Sequence, residues 1–361
     1  SVASYLSHGF WGKTWRFNLQ IILLCFALAL FMDLNVLASI VVGILLFRLQ
    51  HMVGQSTGWS VDSNYPHGGH QSVGALAAYA VLLLVFTRRY LGSVVRKSFD
   101  RSDEDPETPV YRTGLGLLAA CIPLLAIWTH WGGLPFLPIL LFSLMVLVFC
   151  VAAARLRAEA GVITGGGFGA FKGWLMPQLL FPFLGGLAVF GVETWGFVVV
   201  LSTMVMGLGF FLLPGMQASL LEIGYRWNVR RSHIGAAVAL GIVGGIFIGG
   251  WIYLSGAYSL GASNYPISEY GGMENQYKTI NEAITARNQS MAAEADPGAA
   301  AVVKDGWDGK TGALLYGAGV TAAVALLRQA FAGFWLHPIG FIVAPADNLL
   351  GSRISVLGAV I

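Results

Sequence analysis

The stretch Leu134–Gly161 reads LPFLPILLFSLMVLVFCVAAARLRAEAG. From Leu134 to Ala154 no side chain is charged, and at Arg155 the character changes abruptly. A hydrocarbon core about 30 Å thick is crossed by about 20 residues of helix. The run is continuously apolar and does not alternate, which selects a helix over a barrel strand. In lipid every backbone polar group must be paired within the protein, and a helix does this by itself.

The same pattern recurs on both sides of this stretch. Apolar runs cover Phe17–Met32, Val36–Val53, Ser72–Phe86, Gly114–Trp128, Leu134–Ala154, Trp174–Val192, Gly196–Leu213, Ile234–Leu254 and Gly312–Phe331. A tenth apolar element, Ile339–Ile361, is broken by Pro345, Asp347, Asn348 and Arg353. The expected fold is therefore all-α: a polytopic transmembrane helical bundle of about 9–10 spans. Composition agrees. Of 361 residues 56% are hydrophobic and 11% charged, where a soluble domain carries about 25% charged residues. The 47 glycines suit close helix packing in a bilayer.

Charge sets the expected orientation. Arg88, Arg89, Arg96, Lys97 and Arg101 follow the third span, Arg155, Arg157 and Lys172 the fifth, and Arg226, Arg230 and Arg231 the seventh. All fall on one side if every span crosses, and a Lys/Arg excess marks the cytoplasmic side. The opposite side then carries Gly54–Gln71, Thr129–Gly133, Glu193–Thr194 and the long loop 255–311, which holds seven acids against four bases. This divides the chain into a bundle (1–254), an extracytoplasmic loop or cap (255–311) with a polar helix over Glu274–Ala295, and C-terminal membrane segments (312–361). The N-terminal residues Ser1–Arg16, with Phe10, Trp11 and Trp15, suit the headgroup zone.

Several function classes are disfavoured. A net charge of +3 gives no nucleic-acid footprint. Cys25, Cys121 and Cys150 lie within apolar runs and have no metal spacing. His67-Gly68-Gly69-His70, with Asp62 nearby, offers too few ligands for a stable metal site, so no metal is expected. No nucleophile–base motif, zinc-protease motif or haem-attachment motif is present, so no enzyme is expected, and the sequence names no cofactor.

Polar residues beside spans are the candidates for function. Arg155 and Glu159 are spaced i,i+4 and share a helix face. Together with Arg157 they are either a snorkelling helix end or an internal ion pair at the mouth of a pathway. The following Gly165-Gly166-Gly167 run is either a flexible turn or an unwound segment lining a cavity. Asp33, between two spans, is either a buried ionisable group or a hairpin tip in water. Glu222 and Arg226 form a second i,i+4 pair, and His337-Pro338 reads as a kink. Gly241, Gly245 and Gly249 form overlapping GxxxG spacings, expected to pack against another helix of this chain or of another subunit.

Four stretches carry a family resemblance: YPHGGHQSVGA (Tyr65–Ala75), RLRAEAG (Arg155–Gly161), WIYLSGAYSLGA (Trp251–Ala262) and WLHPIGFIVA (Trp335–Ala344). They resemble the C-terminal half of a group of bacterial and archaeal polytopic membrane proteins of unknown function. That group is distantly similar to oligopeptide-transporter-type carriers. The resemblance implies a multi-pass protein of the bacterial cytoplasmic membrane, with a further N-terminal half expected as part of a longer, processed or split protein. Two functions follow as expectations. One is a carrier-like bundle that moves a small solute by alternating access, with Arg155, Arg157, Glu159, Gly165, Gly166, Gly167 and Asp33 along its pathway. The other is a non-catalytic subunit that anchors other membrane chains. In both the lipid bilayer is a partner.

Overall fold

The structure, a computed structural model, describes residues 30, 32–58, 65–99, 108–160, 194, 196–198, 201–202, 213–261, 281, 284–285, 288 and 309–346. Among them are eight bounded α-helices: α1 (Leu34–Thr57), α2 (Gly68–Phe99), α3 (Thr108–Trp131), α4 (Phe136–Ala160), α5 (Leu213–Arg226), α6 (Arg231–Leu260), α7 (Gly309–Ala330) and α8 (Pro338–Val343). A 3-10 turn, Ala344–Ala346, continues α8. No strand occurs among the described residues.

Six of these helices (α1, α2, α3, α4, α6 and α7) are long and apolar enough to cross a membrane. Each coincides with an apolar run of the sequence. The expected spans Phe17–Met32, Trp174–Val192 and Gly196–Leu213 lie wholly or mostly outside the described residues, as does most of loop 255–311. The broken tenth element begins as a short helix and tightens at Pro345. The remainder of that element is not among the described residues.

The core forms where α1, α2, α4 and α8 meet. Val36, Leu37, Ile40 and Ile44 of α1 pack with Ala75, Leu76, Tyr79 and Ala80 of α2. Phe149, Ala152, Ala153 and Leu156 of α4 complete the cluster with Ile339, Ile342 and Val343 of α8. On α4 these positions recur at helical spacing, so the core face is one stripe. The other faces behave differently. The apolar stretches of α3 and α6 bury nothing against the described residues. Leu117, Leu124, Leu240, Phe247 and Trp251 are more than half exposed. Continuous apolar surface on that scale is untenable in water and ordinary against lipid tails.

Two close approaches set how the core helices run. A Cβ on Gly74 of α2 would strike the Leu314 carbonyl of α7, and one on Gly317 of α7 would strike the Gln71 carbonyl of α2. Three residues forward on α2 correspond to three backward on α7, so the pair crosses antiparallel, backbone against backbone. On the other side Gly340 of α8 lies on the Ser39 carbonyl of α1, and Ala344 faces Gly43. Here both chains advance together, so α8 lies parallel along α1.

Candidate functional site

The C-terminal end of α4 brings its i,i+4 pair against the core. Arg155 Nε donates to Glu159 Oε1 at 2.6 Å. The other carboxylate oxygen of Glu159, Oε2, is taken by two further elements. Tyr79 Oη of α2 donates to it at 2.9 Å, and His337 Nε2 stands 3.2 Å away. The partners differ in depth. The His337 side chain is only 5% exposed, Glu159 is 23% exposed and Arg155 55%. The Arg155–Glu159 pair is therefore partly open to its surroundings, and the Tyr79 and His337 contacts lie inside.

His337 owes its place to the start of α8. It is the N-cap residue, and its Nδ1 accepts the Ile339 N–H at 3.2 Å. Pro338 follows at the first helical position, where its missing N–H costs nothing. A neutral imidazole carries one proton. With Nδ1 accepting, that proton belongs on Nε2, the atom that faces Glu159. This assignment follows from the hydrogen bonds alone. The His337 backbone N–H donates to Ser39 Oγ at 2.7 Å, and Ser39 Oγ donates in turn to the Asn35 carbonyl. Through His337 the carboxylate is thus connected to α1 as well as to α2 and α8.

The other residues singled out in the sequence lie elsewhere. Asp33 is exposed and caps α1, accepting the Asn35 N–H at 3.0 Å, so its carboxylate is engaged with a helix end. Arg157 points off the Glu159 face, and the stem of its side chain lies against Gly215 of α5. Gly165, Gly166 and Gly167 lie outside the described residues. Gly241, Gly245 and Gly249 of α6 face open space: a Cβ on any of them would meet nothing within 4 Å among the described residues. Glu222 and Arg226 pair at 2.9 Å on the exposed face of α5.

Two residues of the site carried little or no signal in the sequence. Tyr79 sits mid-span with no polar neighbour to mark it. His337 was visible as a kink, but its contact with Glu159 required the pairing of α8 with α4.

Further polar and open regions do not converge on Glu159. Gln71, buried on α2, donates to Gln50 Oε1 at 3.1 Å and to the Pro66 carbonyl at 2.8 Å. Beside it lies a cavity of about 40 Å³ bordered by Tyr316, Phe341 and Pro345, enough for a water molecule. His67 and His70 meet edge to face at 5.8 Å. A much larger groove of about 850 Å³ runs between α5 and α6, lined by Leu220, Ile223, Ile234 and Val238. It is almost wholly apolar, whereas ligand sites add a few convergent polar groups. The Glu159 cluster, though smaller, is where the polar chemistry gathers.

Among the described residues no group of three or more His, Cys, Asp or Glu side chains converges as a metal-ligand set. What surrounds Glu159 is a set of hydrogen donors: a phenol, an imidazole N–H and a guanidinium. Such a set holds a carboxylate in place and offers a route for proton movement. No curated protein and no solved structure matches the chain. One protein family does match, over residues 1–350, and the chain accordingly belongs to DUF6785, a family of unknown function.

Proposed function

We propose that this protein is a carrier-like membrane bundle that moves a small solute by alternating access, with Glu159 as the ionisable residue on which the cycle turns. The observation that supports this reading is the Glu159 carboxylate itself. It stands at the end of a membrane-length helix and is gripped by side chains from α2, from α4 and from the start of α8. Ionisable groups in such places are costly and mark ion and substrate pathways by default. A group tied to three elements at once is also placed to report its charge state to all of them. Carriers commonly bind substrate and ion where helices are short or broken, and α8 is a short helix ended by a 3-10 turn.

The resemblance to oligopeptide-transporter-type carriers makes short peptides the first solute class to try. In this reading the protein lies in a bacterial cytoplasmic membrane, with the basic ends of α2, α4 and α5 inside. The test is uptake of labelled short peptides into proteoliposomes. Wild-type protein accumulates peptide, and folded Glu159→Gln does not. Normal uptake by Glu159→Gln would remove Glu159 from the mechanism.

A second reading, a subunit that anchors other membrane chains, is favoured by the open glycine face of α6. Gly241, Gly245 and Gly249 would let another helix approach closely. Native mass spectrometry after gentle solubilisation separates the two: a stoichiometric assembly with other polytopic chains supports the subunit, and a lone chain or homo-oligomer supports the carrier.

A further inference from the structure

We propose that the ion exchanged at Glu159 is a proton rather than a metal cation, and that the exchange governs whether α8 stays docked along α1. The proposal rests on the reading of Glu159 as the working residue of a carrier. Its first part comes from the donor set. Oε1 accepts from Arg155, and Oε2 faces both Tyr79 Oη and His337 Nε2. A hard cation needs six or more oxygen ligands for Ca²⁺ or near-octahedral oxygen for Mg²⁺. Here the carboxylate is surrounded by hydrogens aimed at its oxygens, which repel a cation. A proton needs only one oxygen lone pair and a small rearrangement of one donor.

The second part comes from His337. Its ring joins Glu159 at Nε2 to the α8 cap at Nδ1, and its backbone N–H joins α8 to Ser39 of α1. The titratable and charged groups that face Glu159 among the described residues are Tyr79 from α2, Arg155 from α4 and His337 at the start of α8. α1 contributes the neutral Ser39 hydroxyl, and the cation on the α5 side, Arg157, turns toward Gly215. Adding a proton converts the carboxylate to a neutral acid. The Arg155 pair then loses its charge complement, and the His337 N–H loses a charged acceptor for a neutral one. Charge-assisted hydrogen bonds are roughly twice as strong as neutral ones, so the ring is held less firmly and with it the cap of α8. Close packing of Gly340 on Ser39 and Ala344 on Gly43 leaves α8 little room to adjust gradually, so docking and release are discrete alternatives.

Hydrogen exchange of the full chain in nanodiscs tests this without any solute. The reporter is the protection factor of a peptide spanning residues 337–346, corrected for intrinsic exchange, followed with pH in choline and in sodium buffers. Protection in the wild type falls about tenfold or more on acidification, the size of effect expected when a charged acceptor becomes neutral. Glu159→Gln shows the low value at every pH. His337→Asn keeps a capping side chain but is too short to reach Glu159, so it uncouples α8 from the carboxylate and loses the pH response. The wild-type titration needs no variant to fold: protection flat with pH overturns the proposal, as does protection raised by sodium at constant pH. A response that survives in Glu159→Gln assigns the switch to a group other than Glu159 and overturns it as well, as does a response that persists unchanged in His337→Asn. Loss of peptide uptake with this pH response intact would count against the carrier reading alone.

Discussion

His337 Nε2 lies 3.2 Å from Glu159 Oε2, while the opposite nitrogen of the same ring caps the first turn of α8. One imidazole therefore joins a carboxylate on α4 to a helix that begins almost half the chain later. If this junction matters for folding, the manner of its removal should matter more than the loss of charge. Glu159→Ala leaves the buried Tyr79 hydroxyl and His337 N–H without an acceptor, at about 1–3 kcal/mol for each unpaired donor. Glu159→Gln keeps an amide oxygen in place. Thermal unfolding followed by intrinsic fluorescence should rank wild type above Gln and Gln above Ala. Equal midpoints for Gln and Ala would mean that the two donors find other acceptors.

Tyr79→Phe separates the aromatic ring from its hydroxyl. The ring belongs to the packed core of α2 and is retained, and only the Oη–Glu159 bond at 2.9 Å is lost. A bond to a charged acceptor contributes about 1.5–3 kcal/mol, so the midpoint falls less than in Glu159→Ala, which unpairs two groups. Combining Tyr79→Phe with Glu159→Gln should cost less than the sum of the two, because the groups share one contact. Strict additivity in this cycle would show that the hydroxyl and the carboxylate act independently.

The six membrane-length helices among the described residues were legible in the sequence because lipid imposes a length and a composition that each helix satisfies locally. The i,i+4 pair of Arg155 and Glu159 was legible for the same reason, since helix periodicity alone places both on one face. Tyr79 and His337 were not, because their roles depend on which helices meet and in what register, and no local rule supplies that. The glycines show the same division. Gly241, Gly245 and Gly249 have the stronger pattern in the sequence, yet it is Gly74, Gly317 and Gly340 that lie against the backbone of another helix. Gly74 and Gly317 are each matched to a single carbonyl on the other helix, and only the antiparallel pairing of α2 with α7 reveals them.

Asp33 offers a control for charge near the bundle. Its side chain caps α1 through the Asn35 N–H and is exposed. Asp33→Asn keeps a capping acceptor and should leave both stability and uptake unchanged. Asp33→Ala removes the cap and should cost about 1 kcal/mol, again without altering the peptide-uptake rate of the folded fraction. A selective loss of uptake in Asp33→Asn would return this residue to the pathway.

Orientation can be read by single-cysteine labelling in a Cys25→Ala, Cys121→Ala, Cys150→Ala background. The Lys/Arg distribution puts the α5–α6 turn at Asn228 and the end of α2 at Arg96 inside, and the α3–α4 turn at Gly133 outside. Cysteines at Asn228 and Arg96 should be protected from an impermeant maleimide in intact cells and react after permeabilisation. A cysteine at Gly133 should react in both. Uniform labelling of all three from outside would invert or break the assigned topology.

The glycine contrast gives the sharpest test of the packing. On Gly74 or Gly317 a methyl group would fall on a carbonyl of the partner helix. Backbone cannot step aside as a flexible side chain can, so α2 and α7 must separate, and overpacking of this kind costs about 1–3 kcal/mol. On Gly241 or Gly245 the same methyl meets nothing within 4 Å among the described residues. There alanine is the better helix former by about 0.8–1 kcal/mol. Gly74→Ala and Gly317→Ala should therefore lower the unfolding midpoint, while Gly241→Ala and Gly245→Ala leave it unchanged or raise it. A fall at Gly241 or Gly245 comparable to that at Gly74 would reveal a close helix neighbour on α6, and cross-linking from cysteines at Ala237 and Val238 would then identify whether it comes from this chain or from a partner.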